Sequence, residues 1–202
     1  MANNIIDDKP PLILEGKQKN IFKDKESADF TVNCQDVIVR KNNKKLRMYS
    51  ISTADEITGA VCVVSRMFET CNKYLLARHW RVGTKKWHWE FPRGMGIKGE
   101  SPEETALREM REETGLKNYS HVNILQKIYA DTGIICGDIA VADIPISCSA
   151  NEENKENETD WELSNLCWFS SDEITNMIKN NEIDDGITLS AWCIYCNNIL
   201  LK

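Results

Sequence analysis

The stretch Phe91-Pro-Arg-Gly-Met-Gly-Ile-Lys-Gly-Glu-Ser-Pro-Glu-Glu-Thr-Ala-Leu-Arg-Glu-Met-Arg-Glu-Glu-Thr-Gly-Leu116 joins a glycine-rich loop to a segment dense in glutamate. Within it, Ser101-Pro-Glu-Glu104 has the form of a capping box with proline at the first helical position. Gly115 is placed to end the helix, because glycine adopts the left-handed conformation that follows a last helical turn. The spacing therefore predicts a helix over about residues 102–114.

Three carboxylates of this helix fall together on one strip of its surface. At about 100° per residue, Glu109, Glu112 and Glu113 lie within one turn, beside the apolar stripe. Glu113 follows Glu109 at i+4, where like charges destabilise a helix. A bound divalent cation offsets such repulsion, and Mg²⁺ prefers oxygen ligands. The residues alone leave two interpretations open, a Mg²⁺ or Mn²⁺ site and a solvated helix face.

The composition limits the class of protein. A chain of 202 residues with 42% hydrophobic content can bury a core, as one domain or one domain with a small appendage. The formal charge of −6 argues against binding to nucleic acid or to an anionic membrane. No apolar run reaches the roughly 18 residues of a membrane span, and residues 1–8 lack the basic and apolar regions of a signal peptide. We therefore expect a cytoplasmic protein that acts on a small molecule.

The eight cysteines are spread singly along the chain, which favours reduced, buried thiols over disulfides. Cys193-Ile-Tyr-Cys196 is one isolated CxxC, without the second pair that a zinc site needs. We interpret it as two core-facing positions on a helix.

We expect two regions in the chain, one on each side of residue 55. Residues 1–27 are polar and mixed, which indicates an irregular lead-in, whereas residues 29–52 carry strand patterns around a turn at Asn42. We predict a small N-terminal antiparallel sheet within residues 1–55 and the main domain over 56–202.

Strand and helix patterns alternate in the main domain. Strands are predicted near residues 60–65, 73–78, 87–91, 122–129, 139–144 and 161–169. Further helices are predicted over about 171–179 and from 185 onward. Residues 151–160 contain no apolar side chain and are expected to form an exposed loop. Strands on both sides of the glutamate helix indicate an α/β fold with a mixed sheet sandwiched between helices.

The glutamate helix resembles a known motif. Gly94, Glu100 and the run Arg108-Glu109-Met110-Arg111-Glu112-Glu113-Thr114-Gly115-Leu116 match the fixed positions of the Nudix box of the Nudix hydrolase family. The resemblance implies the Nudix fold, with a loop-helix-loop that binds Mg²⁺ or Mn²⁺. It also implies hydrolysis of a nucleoside diphosphate linked to a group X, by attack of water on phosphorus.

The same resemblance implies a role for each matching residue. Glu109 and Glu113 correspond to direct metal ligands, and Glu112 to a further ligand or a group that orients water. The backbone carbonyl of Arg93 is expected to complete the metal site. The remaining matched residues are expected to support these ligands structurally, and they are Gly94, Glu100, Arg108 and Gly115.

Beyond the box, the chain resembles the ADP-ribose and ADP-sugar pyrophosphatase branch of the family. Residues 77–94 are similar to an arginine-containing strand that leads into the box, and Arg81 aligns with an arginine that contacts substrate phosphate. That resemblance implies AMP as one product, a homodimer that exchanges its N-terminal strands, and a general base on a loop after the box. Of the five glutamates in residues 151–162, Glu162 is our choice for this base.

The chain departs from that branch at two positions, and other substrates therefore stay open. Thr132-Gly133 stands where the branch has a proline, and Arg93 stands where it has an alanine. GDP-sugars, NADH and dinucleoside polyphosphates are alternative substrates, and a non-catalytic sensor of nucleotide sugars is the alternative function.

Overall fold

A computed structural model describes residues 9–24, 30–69, 71–147 and 163–200. The described residues fall into two compact units. The first contains the residues up to Asp55 together with Asp131–Cys136, and the second contains Glu56–Ala130 and the residues from Gly137 onward. A 3₁₀ turn, Ala54–Glu56, spans the boundary.

The first unit is a three-stranded antiparallel sheet in the order β1-β2-β3. Its strands are β1 (Leu12–Asp24), β2 (Phe30–Val39) and β3 (Lys45–Ser52). The segment Asp131–Cys136 joins this sheet through β3, because Ile51 donates to the Ile134 carbonyl and accepts from the Cys136 N–H, each at 2.7 Å. The predicted N-terminal antiparallel sheet is therefore present.

Strand β1 contradicts the prediction of an irregular lead-in over residues 1–27. Its residues pair with β2 from Leu12, opposite Val39, to Asp24, opposite Phe30. The apolar alternation that normally reveals a strand is missing, because nearly all of its side chains are exposed. Backbone hydrogen bonds to β2 supply the order that the sequence pattern did not indicate.

The second unit is built on a seven-stranded mixed sheet. Its strands are β4 (Gly59–Phe68), β5 (Cys71–Arg81), β6 (Lys86–Glu90), β7 (Arg93–Gly94), β8 (Asn123–Ile128), β9 (Ile139–Ile146) and β10 (Leu163–Ser170). Their order is β10-β5-β4-β9-β8, with β6 paired to β5 and β7 paired to β4. Strands β4 and β9 are parallel, and the other pairs are antiparallel.

Three helices cover the two faces of this sheet. They are α1 (Pro102–Thr114), α2 (Ser171–Lys179) and α3 (Gly186–Tyr195), and a π turn (Cys196–Leu200) follows α3. Alternate residues of β4 point to opposite faces: Val61 packs in a cluster with Trp192 of α3, and Cys62 in a cluster with Met110 of α1. The sheet is thus sandwiched between helices, as predicted.

Helix α1 has the bounds and caps that the sequence predicted. Ser101 Oγ accepts from the Glu104 N–H, and the Glu104 carboxylate accepts from the Ser101 N–H, which completes the capping box. Gly115 follows with φ of 70°, and its N–H donates to the Arg111 carbonyl. Both ends are therefore fixed by local contacts, which hold the glutamates of the helix in register.

The seven described cysteines are free thiols, as expected, but only Cys34 and Cys62 are buried. Cys193 is exposed on α3, so the interpretation of the CxxC as two core positions was wrong. The buried side of α3 is formed instead by residues such as Thr188 and Trp192. Among the described residues, no helix has the length and apolar character needed to cross a bilayer.

Candidate active site

The site forms where α1 lies against the loop that precedes it. The Glu109 carboxylate packs directly on Gly94: a Cβ built on this glycine would lie 2.1 Å from the carboxyl carbon. One turn later, Glu113 Oε2 accepts a hydrogen bond of 3.2 Å from the Arg93 backbone N–H. Two carboxylates of one helix face are therefore held against the Arg93–Gly94 backbone.

Burial and mutual repulsion change the acidity of these two carboxyl groups. Burial raises the pKa of Glu113 to about 8, and the nearby charge of Glu109 adds to the effect. Burial also raises the pKa of Glu109, although Arg108 opposes the shift. A site that destabilises two adjacent carboxylates in this way favours a cation between them.

Arg108 links the outer carboxylates to the loop. Its guanidinium donates to Glu100 at 3.0 Å, to Glu109 at 2.6 Å and to Glu112 at 3.1 Å. It also donates to the Met95 carbonyl at 2.8 Å. The side chain of Glu112, which is 61% exposed, is therefore paired with the Arg108 cation one turn earlier, so Glu112 does not share the repulsion between Glu109 and Glu113 unopposed.

A second network lies at the entry to the loop, centred on the buried Glu90. Arg81 donates to both carboxylate oxygens of Glu90, at 2.9 and 2.6 Å, and Arg93 donates to one of them at 2.9 Å. Burial alone would raise the pKa of Glu90, but the Arg81 hydrogen bonds and the Arg93 charge outweigh it and hold the pKa below the usual value. Arg93 also lies 3.6 Å from Asp185, the N-cap residue of α3.

His79 stands between the two networks. Its side chain is 2% exposed, with Nδ1 3.3 Å from the Arg81 guanidinium and Nε2 3.9 Å from Glu113 Oε2. Burial lowers the pKa of His79 to about 4, so the ring is neutral at pH 7.

The predicted residues lie in different parts of this arrangement. Glu109 and Glu113 face the loop, Arg93 and Gly94 form it, and the chain leaves α1 at Gly115. The supporting and peripheral members are Glu100, Arg108, Glu112 and Arg81. Glu162, the predicted base, lies outside the described residues.

Sequence reasoning missed two buried members of the site, Glu90 and His79. They come together through the antiparallel register of β5 and β6, which sets Ala77 opposite Glu90 and His79 opposite His88. Four residues separate these strands, and such a short turn fixes which residues of the two strands pair. The pairing of β5 with β6 could therefore have been predicted from the sequence. Counting outward from the turn would have placed Arg81, His79 and Glu90 on one face.

The donor set suits a hard cation that keeps much of its own hydration. Among the described residues, no three His, Cys, Asp or Glu side chains form a ready-made metal cage. Mg²⁺ is usually bound by one or two carboxylates together with waters and substrate phosphates. Glu109 and Glu113, with the Arg93–Gly94 backbone beside them, fit that description.

Comparison with known proteins gives the family of the chain. A crystal structure of an ADP compounds hydrolase has a TM-score of 0.71 to this chain at 15% identity, and covers 93% of this chain and 94% of its own. This likeness shows a shared fold. Among curated proteins, no sequence matches the chain. The family model described as the NUDIX domain matches residues 57–191. Because that match spans well over half of the sequence, the chain belongs to the Nudix family of hydrolases.

Proposed function

We propose that this protein hydrolyses the pyrophosphate bond of ADP-ribose or a related adenosine diphosphate compound. Water attacks phosphorus, a P–O bond of the anhydride breaks, and AMP leaves together with a phosphorylated product. Family membership supports the reaction class. The adenosine preference is supported by the similarity of residues 77–94 to the ADP-sugar branch, and by the fold shared with an ADP compounds hydrolase.

One observation carries the proposal: two carboxylates of α1, one turn apart, are held against the loop backbone. The Glu109 carboxylate packs against Gly94, and the Glu113 carboxylate accepts a hydrogen bond from the Arg93 N–H. Both are proposed ligands of Mg²⁺ or Mn²⁺, with Glu112 and the Arg93 carbonyl as further donors. When bound, the metal neutralises charge on the pyrophosphate oxygens and lowers the pKa of the attacking water.

The chain's other polar residues have proposed supporting tasks. Arg81, whose guanidinium plane is fixed by paired hydrogen bonds from Nε and Nη2 to Glu90, is the proposed contact for a substrate phosphate. Arg108 and Glu100 keep Glu109 in place through charge-assisted hydrogen bonds. Glu162 remains the proposed general base.

Turnover of a substrate panel tests the activity. ADP-ribose, NADH, a diadenosine polyphosphate and a GDP-sugar are incubated with the protein and Mg²⁺, and the phosphate products are separated. We expect ADP-ribose or another adenosine compound to give AMP at the highest kcat/KM. A GDP-sugar as the best substrate would contradict the adenosine preference. Tight binding of a nucleotide sugar without turnover would support the sensor instead.

Glu113→Gln tests the proposed metal site against a matched change on the same helix. The amide keeps the size of the side chain but loses the charge, so kcat should fall by about two to three orders of magnitude, as when one charge-stabilising group is lost. Glu103→Gln, at an exposed position in the first turn, should leave kcat unchanged. Equal activity of both variants would contradict the assignment of Glu113.

We also propose that the protein is a homodimer formed through its N-terminal sheet. Seven large apolar side chains of β1 and β3 are exposed, some on each face of the sheet, and exposed apolar area is typical of interfaces. These are Ile13, Leu14, Ile21, Phe22, Leu46, Met48 and Tyr49. A second copy of the chain is the proposed partner of this sheet.

A further inference from the structure

The tautomer of His79 follows from its partner. Arg81 Nη2 lies 3.3 Å from His79 Nδ1, and a guanidinium can only donate hydrogen bonds. His79 Nδ1 must therefore accept, and the neutral ring carries its proton on Nε2.

This N–H has no hydrogen-bond partner within the described part of the chain, although it is buried. An unsatisfied buried donor destabilises a fold, so such a group calls for an explanation. Its nearest carboxylate is that of Glu113, with Oε2 3.9 Å from His79 Nε2. That distance is about 1 Å longer than an ordinary N–H···O hydrogen bond.

The two other carboxylates that act on His79 are already paired with arginines. Glu90 is engaged by Arg81 and Arg93, and Asp185 lies 3.6 Å from Arg93 and caps α3. Glu113 differs from both, because among the described residues it accepts a single hydrogen bond, from the backbone N–H of Arg93. A carboxylate oxygen can accept more than one hydrogen bond.

We propose that His79 is a positioning residue for Glu113, whose ionised carboxylate moves by about 1 Å and accepts the His79 Nε2–H. The contact fixes the orientation of the carboxylate, as outer hydrogen bonds commonly do for metal ligands. Arg81 then has a second task beside its proposed phosphate contact, because its hydrogen bond to Nδ1 sets the His79 tautomer. This inference rests on the proposed metal site at Glu113.

The first test uses the wild-type protein without substrate. Two-dimensional ¹H–¹⁵N NMR of the imidazoles, assigned with His79→Gln, should show the Nε2–H tautomer for His79. Addition of Mg²⁺ should move that proton downfield as its hydrogen bond to Glu113 forms. An Nδ1–H tautomer, or a proton that does not respond to Mg²⁺, would overturn the inference.

The second test measures Mn²⁺ binding by electron paramagnetic resonance in two variants. His79→Leu removes the donor and should weaken Mn²⁺ binding by about 10–100-fold, the usual effect of losing an outer hydrogen bond. His79→Gln keeps an N–H donor at a similar reach and should retain most of the affinity. Equal affinities of wild type and His79→Leu, or equal losses in both variants, would contradict a role for the donor.

His88→Gln is the matched control. His88 lies opposite His79 in the β5–β6 register and is also buried. Both of its ring nitrogens have a partner, because Nε2 lies 2.6 Å from the Thr84 hydroxyl and Nδ1 lies 2.5 Å from the Asp184 carboxylate. Its replacement should leave Mn²⁺ affinity unchanged. In turnover assays, His79→Leu should lower kcat with little change in KM. Normal Mn²⁺ binding without turnover in wild type would contradict the proposed hydrolysis and leave the His79 result standing.

Discussion

Gly94 shows how a single missing side chain makes room for a functional one. Any Cβ at this position would overlap the carboxylate of Glu109, at 2.1–2.2 Å from its three terminal atoms. The conformation of Gly94 does not require glycine, because its φ is not in the left-handed region. Its requirement comes from close packing, and the neighbour concerned is a proposed metal ligand.

Gly94→Ala should therefore impair function more than folding. The end of a flexible side chain can move aside, so we expect a small loss of stability but a displaced Glu109. Misplacement of a catalytic group by about 1 Å can cost about 100-fold in rate, and we expect a loss of that order in kcat. Gly83→Ala is the control, since no atom lies within 4 Å of its added Cβ. Similar rates for both variants would contradict the packing argument.

Glu113 should give the metal-free protein an unusual dependence on pH. Its pKa is about 8 in the folded state against 4.5 as the ordinary value, so between these values the folded state binds more protons. The free energy of unfolding therefore falls as pH rises through this window, by at most about 1.4 kcal/mol per pH unit. Glu113→Gln cannot ionise, so its stability relative to wild type should increase from pH 5 to pH 8.

Urea denaturation in EDTA at pH 5, 6.5 and 8 measures this difference. The lowered pKa of His79 acts in the opposite direction between about 4 and 6.5, but it is present in both proteins and largely cancels in the comparison. Glu112→Gln, at a side chain that is 61% exposed, should follow the wild-type profile. Parallel profiles for wild type and Glu113→Gln would show that Glu113 has an ordinary pKa.

At the scale of elements, helices α1 and α2 share the same capping device with different consequences. The hydroxyl oxygens of Ser101 and Ser170 each accept a hydrogen bond from the backbone N–H three residues later. The carboxylates of Glu104 and Glu173 in turn accept from the backbone N–H of these serines. Only α1 carries the proposed ligands. Its cap also adjoins Glu100, the partner of Arg108.

Ser101→Ala and Ser170→Ala should each lower the free energy of unfolding by about 1 kcal/mol, the usual cost of losing a serine cap. Only Ser101→Ala should also reduce kcat, because it loosens the segment that carries Glu100. Chemical denaturation and turnover of both variants provide the comparison. An equal loss of activity in Ser170→Ala would mean that global stability, not the local cap, controls the rate.

These elements also show what the sequence could predict about the fold. Helix α1 was predictable to the residue because its caps are local signals between neighbours in the chain. Strand β1 was not, because its exposed side chains carry no alternation and its order depends on pairing with β2.

The candidate site divides in the same way. Glu109 and Glu113 share a helix, so their spacing alone brought them together. Glu90 and His79 lie on two strands, and only the hairpin register sets them beside Arg81. The burial of Glu90 and His79 depends on the packed sheet, and no local sequence signal predicts it.

For the whole molecule, the exposed apolar side chains of the first sheet leave apolar area that association would bury. Leu14 on β1 is 71% exposed, and Tyr49 on β3 is 52% exposed. Burial yields about 25 cal/mol for each Å² of apolar surface, so pairing of two such surfaces would be favourable. Replacing an exposed apolar residue by serine has little effect on the stability of a monomer. At an interface, the same replacement removes the favourable free energy of burying the apolar side chain.

Light scattering coupled to size-exclusion chromatography should give a mass near twice the 23.1 kDa of one chain. The double variant Leu14→Ser, Tyr49→Ser should shift the protein toward the monomer mass, and the shift should grow on dilution because association depends on concentration. Val82→Ser is matched to Leu14→Ser in exposure, at 71%, but lies in the second unit and should leave the mass unchanged. A wild-type mass of one chain at all concentrations would contradict the homodimer, whereas a dimer that tolerates the double variant would move the interface away from the N-terminal sheet.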